Sequence, residues 1–412
     1  MNRKAFLVSA AATAATMLTR PARSLAVQPA PAAGEEMPNW AFPDLTTLFR
    51  EPIKIQSIEL LRAQGRLLLV VKSADGRRGV TQCSDRMPHL VSLLRGLVLP
   101  HFAGQDARQL LQLVDNAYRL NSNYKYAGMP LWNSIGSVEV AVWDLLGQIA
   151  GKPVSAMLGR QVRRDYPVYV SDFDRERPPE AVADVLLKKM AVTGATGVKI
   201  KLGGRMRNTP EDDRRTRALV PIIRKRLGDA TTIYADANGS YTVAEGIAIG
   251  RLCEEYGVAV MEEPCNFEDE DGIRRVNDAL SRLTLAGGEQ DTSLYRFRRL
   301  AQTGVYDVLQ PDIYDNGGLA RALQVAAIAQ AAGKQIAPHS PKADPLIGPF
   351  WQFAAICPNL FGLQEFVYTD EPEPSWFTPK ITVRDGRMTI PATPGMGIAY
   401  DDGIWARAEK VL

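Results

Sequence analysis

The stretch GVKIKLG, residues 197–203, places two lysines two positions apart inside an apolar segment. Side chains alternate in direction along a β-strand, so Lys199 and Lys201 point to one side while Val198 and Ile200 point to the other. An exposed strand with surface lysines is one interpretation, but Val198 and Ile200 would then lack a helix layer to cover them. The pattern therefore favours a strand whose lysines face the interior of a barrel.

Short apolar runs that end in a polar residue recur on both sides of this stretch. A run at residues 168–171 precedes it, and later runs follow at intervals of 23 to 35 residues. Each interval accommodates one strand, one helix and two loops, so we predict an α/β fold with a modified TIM-type (β/α)8 barrel. The runs end at Lys201, Asp236, Glu262, Glu289, Asp312, His339 and Glu365, positions where barrel enzymes carry their chemistry.

A doubly wound open sheet is the alternative for this alternating pattern. No GxGxxG motif follows the first strand. The polar strand ends are also spread over seven strands, whereas an open sheet would gather them at one switch point. Both observations favour the closed barrel.

The N-terminal part of the chain has a different pattern of apolar and polar residues. Residues 52–83 alternate in strand fashion around a turn at Asp75-Gly76, and helical patterns follow at 107–120 and 135–149. We predict an α+β domain over residues 48–160. The barrel would then span residues 161–370, and residues 371–412 would return to the α+β domain.

The first 26 residues are typical of an export signal peptide. Arg3 and Lys4 precede a small, apolar stretch that is too short to span a membrane. Residues 3–7 resemble a twin-arginine signal with a lysine in place of the second arginine, so we expect periplasmic export by a Tat-like or Sec route. A disordered basic tail is the alternative. Residues 27–47 are predicted to form a linker.

Composition restricts the class of protein. The 412 residues are 46% hydrophobic and 23% charged, which is ordinary for a globular chain. Four basic residues and no acid lie in the first 26 residues, and their removal changes the net charge from +3 to −1. Charge therefore gives no argument for a nucleic-acid or membrane partner. The cysteines, Cys83, Cys253, Cys265 and Cys357, form no CxxC and predict neither a disulfide scaffold nor a zinc site.

Three carboxylates end successive predicted strands, namely Asp236, Glu262 and Glu289. Adjacent barrel strands end side by side, so we expect these acids to converge. Clustered carboxylates repel one another unless a cation neutralises them, and Mg²⁺ prefers such oxygen ligands. Each acid alone would more often be a loop or helix-cap residue, but the triple predicts a Mg²⁺ site.

The remaining strand ends carry acid and base groups. Two neighbouring ammonium groups depress each other's pKa, so we expect one of Lys199 and Lys201 to act as a base. Asp312 would fix the tautomer of His339 on the next strand. Glu365 would hold the enolised carboxylate of a substrate, or would make a structural hydrogen bond.

Taken together, these residues resemble the enolase superfamily, in its mandelate racemase/muconate lactonizing enzyme family. The resemblance covers about residues 50–370. The matching motifs are Lys199-x-Lys201, Asp236-x-Asn238, Glu262-Glu263-Pro264, Gly288-Glu289, Pro311-Asp312 followed by Gly317-Gly318, and His339. The muconate-lactonising branch would place a lysine near Asp312, and none lies between Asp312 and Gly318.

The resemblance implies that the α+β domain, residues 48–160, is a capping domain on a modified barrel. It also implies roles for the site residues. Mg²⁺ would bind Asp236, Glu262 and Glu289. Lys201 and His339 would act on opposite faces of the substrate α-carbon, with Asp312 orienting His339. The substrate-binding residues would be Lys199 near the carboxylate, Glu365 on the enolate oxygen, and Asn238.

The implied activity is proton abstraction next to a carboxylate. Dehydration of an acid sugar to a 2-keto-3-deoxy acid is the leading expectation. Racemisation or epimerisation comes second and cycloisomerisation third, and a non-catalytic periplasmic binding protein is the alternative outside the enzymes. The expected partner is a small carboxylate substrate, in a homo-oligomer.

One departure from the family concerns the capping loop that normally folds over the active site. Residues 60–67 leave little more than a turn there. We expect that this short loop leaves the mouth of the active site open. Residues 86–101, residues 121–132 or a neighbouring subunit would close it instead.

Overall fold

The structure is a computed structural model that describes residues 36–340, 344–370 and 374–412. The predicted export signal, residues 1–26, and the first part of the predicted linker lie outside the described residues. Residues 36–44 are described and are fixed to the barrel. The Pro38 carbonyl accepts a hydrogen bond from Gln324, and Trp40 Nε1 donates to the Leu158 carbonyl over 3.4 Å.

An antiparallel sheet forms the N-terminal region. Its strands are β1 (Ile55–Ala63), β2 (Arg66–Ser73) and β3 (Arg78–Gln82). The turn between β1 and β2 is only Gln64-Gly65, with φ of 51° and 71°. Two residues of positive φ match the right-handed twist of a hairpin, which confirms that the first capping loop is short. The helices of this region are α1 (Leu45–Leu48), α2 (Val91–Leu93), α3 (Leu110–Arg119), α4 (Met129–Ala150) and α5 (Val154–Leu158).

A parallel barrel follows, and the predicted fold class is confirmed. Within the described residues, the first seven of its eight strands pair in chain order, and the eighth pairs with the first. Ile336 bridges to Leu360, just before the last strand, and so completes the ring. The strands are β4 (Asp165–Ser171), β5 (Gly197–Lys201), β6 (Thr232–Asp236), β7 (Val260–Glu262), β8 (Thr284–Gly287), β9 (Val308–Leu309), β10 (Gln335–Ile336) and β11 (Gln364–Phe366).

Helices alternate with these strands, and two carry capping boxes visible in the sequence. Thr209 and Asp212 exchange hydrogen bonds at the start of one helix, and Thr242 and Glu245 do so at the start of the next. The helices are α6 (Pro179–Thr193), α7 (Pro210–Leu227), α8 (Val243–Glu255), α9 (Glu270–Ala279), α10 (Leu294–Thr303), α11 (Leu319–Ala331) and α12 (Gly348–Ile356). In the described residues after β11 no α-helix follows, so the last of the eight expected βα units lacks its helix.

The C-terminal segment contacts both halves of the molecule. The strands β12 (Phe377–Thr378) and β15 (Ala399–Tyr400) pair with each other, and β13 (Val383–Arg384) forms a hairpin with β14 (Arg387–Thr389). β14 pairs with β4 of the barrel, and β16 (Glu409–Lys410) pairs with β1 of the N-terminal sheet. This segment therefore fastens the capping region to the barrel.

Two buried carboxylates on α4 add to that connection. Glu139 accepts hydrogen bonds from Leu319 N and Ala320 N, at 2.9 and 2.8 Å, and so caps the start of α11. A Cβ at Gly318 would lie 2.3 Å from Glu139 Oε2, so only glycine permits this approach. Asp144 accepts from Val80 N at 2.9 Å and from Met396 N at 2.7 Å. The family motif Gly317-Gly318 thus has a packing role.

No helix in the described part of the chain has both the length and the apolar character needed to cross a bilayer. The four cysteines are buried free thiols.

Candidate active site

Both lysines of β5 point into the barrel, as predicted. Lys199 is 2% exposed, and its Nζ lies 3.0 Å from Glu262 Oε2 and 3.1 Å from Glu365 Oε1. Burial opposes the charge, but Glu262 and Glu365 together hold the pKa of Lys199 well above its usual value. Lys199 is therefore not the lysine of this pair that acts as the predicted base. Two carboxylates outweigh the neighbouring ammonium, and Lys199 is a fixed positive charge.

Lys201 occupies a different environment at the end of the same strand. Its ammonium forms an ion pair with Asp236 and lies 3.4 Å from Asn238 Oδ1. The ring of Phe173, on the loop after β4, lies 5.3 Å from the Lys201 Nζ. Asn238 Oδ1 also accepts a hydrogen bond from Arg175 Nη2 at 2.5 Å. Asn238 thus contacts both Lys201, the predicted base, and Arg175, which the sequence analysis did not identify as a site residue.

His339 and Asp312 form the predicted pair. The two residues bridge as neighbours beyond the ends of β9 and β10, and His339 Nδ1 lies 2.8 Å from Asp312 Oδ2. Asp312 Oδ1 accepts from Tyr314 N and Asp315 N, which fixes the carboxylate. The other ring nitrogen, Nε2, lies 3.5 Å from Glu289 Oε2. Burial would lower the pKa of His339, but Glu289 and Asp312 raise it to about 9.

The three predicted metal ligands each associate with one basic group. Asp236 pairs with Lys201, Glu262 with Lys199, and Glu289 with His339. In the described residues, no group of three or more acids, histidines or cysteines is arranged to hold a metal. Asp236 and Glu262 end adjacent strands that pair in register, and the predicted Mg²⁺ site stays a prediction. Each carboxylate lies beside an ammonium or imidazole group that offsets its charge.

The chemistry of these donors nevertheless fits a hard divalent cation. All three are carboxylates from the successive strands β6, β7 and β8, and their oxygens are the ligands that Mg²⁺ and Ca²⁺ prefer. Asp236 and Glu262 are 1% and 3% exposed, whereas the Glu289 side chain is 24% exposed. Such a site would be closed on the barrel side and open toward a substrate.

Glu365 lies within β11, between Gln364 and Phe366, and not at the strand end that the sequence predicts. Its Oε1 accepts a hydrogen bond from Ser171 Oγ at 2.7 Å and contacts Lys199. Burial would raise the pKa of Glu365, but Lys199, Lys201 and His339 lower it. Glu365 is therefore a carboxylate that accepts a hydrogen bond from Ser171 and forms an ion pair with Lys199.

Further site residues were missed by the sequence reasoning. Gln310 Nε2 donates to Glu262 Oε1 at 2.8 Å, and the Tyr169 ring lies 5.3 Å from Lys199 Nζ. Ser171, Arg175 and Phe173 belong to the same group. A signal was present for some of them, because Tyr169 and Ser171 alternate on β4 as Lys199 and Lys201 do on β5, and Gln310 stands two residues before Asp312.

Backbone strain accompanies the acids of β6 and β7. Asn238 and Glu263 have φ of 43° and 45°, in the left-handed region that non-glycine residues rarely adopt. Asn238 N donates to Asp236 Oδ1 at 2.8 Å, and Gly239 N donates to the Glu263 carbonyl at 2.8 Å. These contacts hold the loop that presents Asp236.

The capping region covers the mouth on the His339 side. Arg86 Nη1 lies 3.3 Å from Asp315 Oδ2, three residues beyond Asp312. The guanidinium of Arg321 stacks 3.6 Å over Trp132. Arg86 therefore contacts the loop between β9 and α11, and Trp132 contacts the first turn of α11. The two segments are those that the sequence predicts to close the mouth.

Lys201 and His339 face each other across the barrel. β4 and β11 separate their strands on one side of the ring, and β6 to β9 separate them on the other. The three carboxylates lie on the strands between them. Two acid/base groups on opposite sides of one anion-rich mouth can reach both faces of a bound carbon acid.

Comparisons with known proteins show the family of the chain. The family described as "Enolase C-terminal domain-like" matches residues 182–404. The chain belongs to the enolase superfamily. Among curated relatives of this superfamily member, the arabinonate dehydratase of Saccharolobus solfataricus is 27% identical, with 81% of this chain and 88% of the relative covered. The D-galactarolactone cycloisomerase of Agrobacterium fabrum is 29% identical, with coverages of 81% and 89%.

Solved structures place this enolase superfamily member in the mandelate racemase/muconate lactonizing family. A putative racemase from Roseobacter denitrificans is 28% identical with a TM-score of 0.80, covering 87% of this chain and 99% of that chain. A mandelate racemase/muconate lactonizing protein from Paracoccus denitrificans, complexed with magnesium, is 25% identical with the same TM-score and coverages. Members of the superfamily bind Mg²⁺.

Proposed function

We propose that the protein removes the proton α to the carboxylate of an acid sugar and then eliminates the β-hydroxyl, producing a 2-keto-3-deoxy acid. The observation that carries this proposal is the placement of Lys201 and His339 across the mouth from each other, with three carboxylates between them. Curated relatives named as acid-sugar dehydratases support the substrate class.

We propose Mg²⁺ as the cofactor, held by Asp236, Glu262 and Glu289. Bound there, Mg²⁺ would supply positive charge to the substrate carboxylate as negative charge develops on it. The oxygen-only donor set and the magnesium complex of a family member support this choice.

The protein's own groups divide the remaining work. Lys199, a fixed positive charge beside Glu365, orients and stabilises the substrate carboxylate. Lys201 takes the α-proton from one face. His339 is held through Nδ1 by Asp312, so its Nε2 faces the other side. A protonated His339 donates to the departing β-hydroxyl, which leaves as water, and the resulting enol tautomerises to the keto acid.

Epimerisation and cycloisomerisation use the same first step. If the substrate has no leaving group, His339 can return a proton from the opposite face and invert the α-carbon. Because one relative is named as a cycloisomerase, the assay also follows lactone formation and lactone opening.

The test is a screen of acid sugars with Mg²⁺ in D₂O, read by NMR and by keto-acid detection. Dehydration produces keto acid, whereas epimerisation produces inversion with deuterium at the α-carbon and no keto acid. Lys201→Ala and His339→Asn should each abolish turnover. Lys225→Ala, an exposed lysine on α7, is the matched control and should retain it. Absence of both products and of α-deuterium with every acid sugar would overturn the proposal.

We also propose periplasmic export by residues 1–26, on the basis of their charge and apolar pattern. Fractionation of cells that express the full chain and a chain lacking residues 2–26 tests this. The full chain should appear in the periplasm and the shortened chain in the cytoplasm.

A further inference from the structure

We infer that Arg175, assisted by Arg205, binds a second carboxylate of the substrate, so that the preferred acid sugars are dicarboxylic. This inference rests on the proposed function and names the substrate class within it. It assigns a binding role to the loops after β4 and β5.

Arg175 is a half-buried guanidinium group with an unused donor. Its Nη2 donates to Asn238 Oδ1 at 2.5 Å, and its Nε is buried without a hydrogen-bond partner. In the described part of the chain, no carboxylate forms an ion pair with Arg175. A buried charged donor without a partner is costly, which indicates that a ligand completes this group.

Two neighbouring arginines are engaged by the protein. Arg177 forms an ion pair with Asp172 at 2.9 Å. Arg215 donates to the backbone carbonyls of Arg177, Lys201 and Asp174. These side chains hold the loops in place, whereas Arg175 remains available at the mouth.

A second cation lies close to Arg175. Arg205 is near enough to repel Arg175 electrostatically, and it is exposed. Arg205 and Met206 have consecutive φ values of 57° and 56°, in the left-handed region that non-glycine residues rarely adopt. Ser240 Oγ accepts from Arg205 N at 3.0 Å, and the Asn238 carbonyl accepts from Met206 N at 2.9 Å. These contacts fix the loop that carries Arg205. Asp236 attracts Arg175 and Arg205 repels it, so an anion bound here would face two guanidinium groups and one carboxylate.

The position of Arg175 relative to the reacting groups fits a substrate with an anion at each end. Arg175 and Lys201 share Asn238 Oδ1, so the guanidinium lies beside the proposed base. The reacting carboxylate would lie near Lys199, deeper in the barrel. A chain that runs from Lys199 past Lys201 toward the mouth would present its far end to Arg175. The planar guanidinium fork matches a carboxylate, whereas a terminal hydroxymethyl group would leave the charge uncompensated.

The experiment compares stereochemically matched pairs, galactarate with galactonate and glucarate with gluconate, in the wild-type protein, Arg175→Gln and Arg175→Lys. The readout is the ratio of kcat/KM for the dicarboxylic to the monocarboxylic member. We expect this ratio to exceed one in the wild type and to fall on the order of 10- to 100-fold in Arg175→Gln, the loss typical of a hydrogen bond to a charged group. Arg175→Lys should recover part of it, and Arg205→Gln should lower it less. Arg214→Gln, which removes an exposed charge from α7, is the matched control.

Binding supplies a readout that does not depend on turnover. Isothermal titration with the same pairs and with 6-phosphogluconate should show tighter binding of the dicarboxylate to the wild type, and loss of that preference in Arg175→Gln. Equal affinities for the dicarboxylic and the monocarboxylic member of a pair would overturn the inference. Equal losses of affinity for both members in Arg175→Gln would overturn it as well. In either case, dehydration of monocarboxylic sugars would still support the proposed function. Preference for the phosphorylated acid over both others would also overturn the inference. Dicarboxylate selectivity in binding without α-deuterium exchange would support Arg175 and count against the proposed function.

Discussion

Asp312 holds His339 through its Nδ1, 2.8 Å from Asp312 Oδ2, and so decides which ring nitrogen faces the substrate. The same carboxylate is anchored by two backbone N–H groups through Oδ1. The pair is therefore a rigid unit, although its members lie on different strands 27 residues apart.

The first prediction concerns this pair. Asp312→Asn can still accept the backbone hydrogen bonds, but it no longer favours the Nδ1–H tautomer or a protonated ring. We expect kcat to fall on the order of 10- to 100-fold or more, as for the loss of an outer-sphere partner of a functional histidine. Asp344→Asn, an acid that binds Gln82 at 2.9 Å outside the proposed machinery, should retain most activity. Equal rates for Asp312→Asn and wild type would show that Asp312 has only a structural role.

The second prediction concerns metal binding. Mg²⁺ should raise the melting temperature of the wild-type protein, because a ligand at 100 times its Kd stabilises the native state by roughly 2.7 kcal/mol. Glu289→Gln should lose this shift together with activity, and chelation should abolish turnover. Glu268→Gln, an exposed acid on the loop after β7, should keep both. Full activity in the presence of a chelator would refute the metal assignment.

The third prediction concerns the pH dependence of stability. Burial raises the pKa of Glu139 to about 7, despite its hydrogen bonds from Ala320, Leu319 and Trp143. The folded protein then holds the proton more tightly than the unfolded chain. The contribution of Glu139 is therefore fully present below the unfolded pKa of about 4.5 and is lost as the pH rises through 7.

The measurement compares the free energy of unfolding of the wild type with that of Glu139→Gln at several pH values. Between pH 4.5 and 7.5 the wild type should lose roughly 3 kcal/mol relative to the variant, since one pKa unit corresponds to about 1.36 kcal/mol. Other titrating groups are common to both proteins and cancel in the difference. A difference that stays flat or grows with pH would mean that the start of α11 keeps Glu139 ionised.

The fourth prediction concerns the cover of the mouth. Arg86→Ala removes the ion pair with the buried Asp315, three residues from Asp312. We expect a several-fold rise in KM, or an order of magnitude at most, because the arginine itself is half exposed and such pairs are weak. Arg95→Ala, in the same capping segment, should leave KM unchanged. An equal effect of both variants would indicate a general change in the capping region.

Much of the fold could be predicted from short-range patterns. The alternation in residues 197–203 and the regular return of polar strand ends depend on side-chain direction and chain length alone, and they located the barrel strands and each proposed metal ligand. The same patterns misplaced Glu365 at the end of its strand and implied an eighth helix. Neither feature has a local signal. After β11 the chain forms strands that pair with β4 and with the N-terminal sheet, and such pairing depends on residues far apart in the sequence.

The sequence by itself determined which chemical groups line the mouth, namely three acids, two lysines and a histidine–aspartate pair, because strand periodicity directs them inward. Only the tertiary structure decided how these groups are paired. Barrel closure brings Lys199 to Glu262 and Glu365, Glu289 to His339, and Arg175 to Asn238. Coulomb energy and desolvation depend on distances between residues that lie far apart in the chain, so the charge state of Lys199 and the free donor of Arg175 follow from the closed barrel alone.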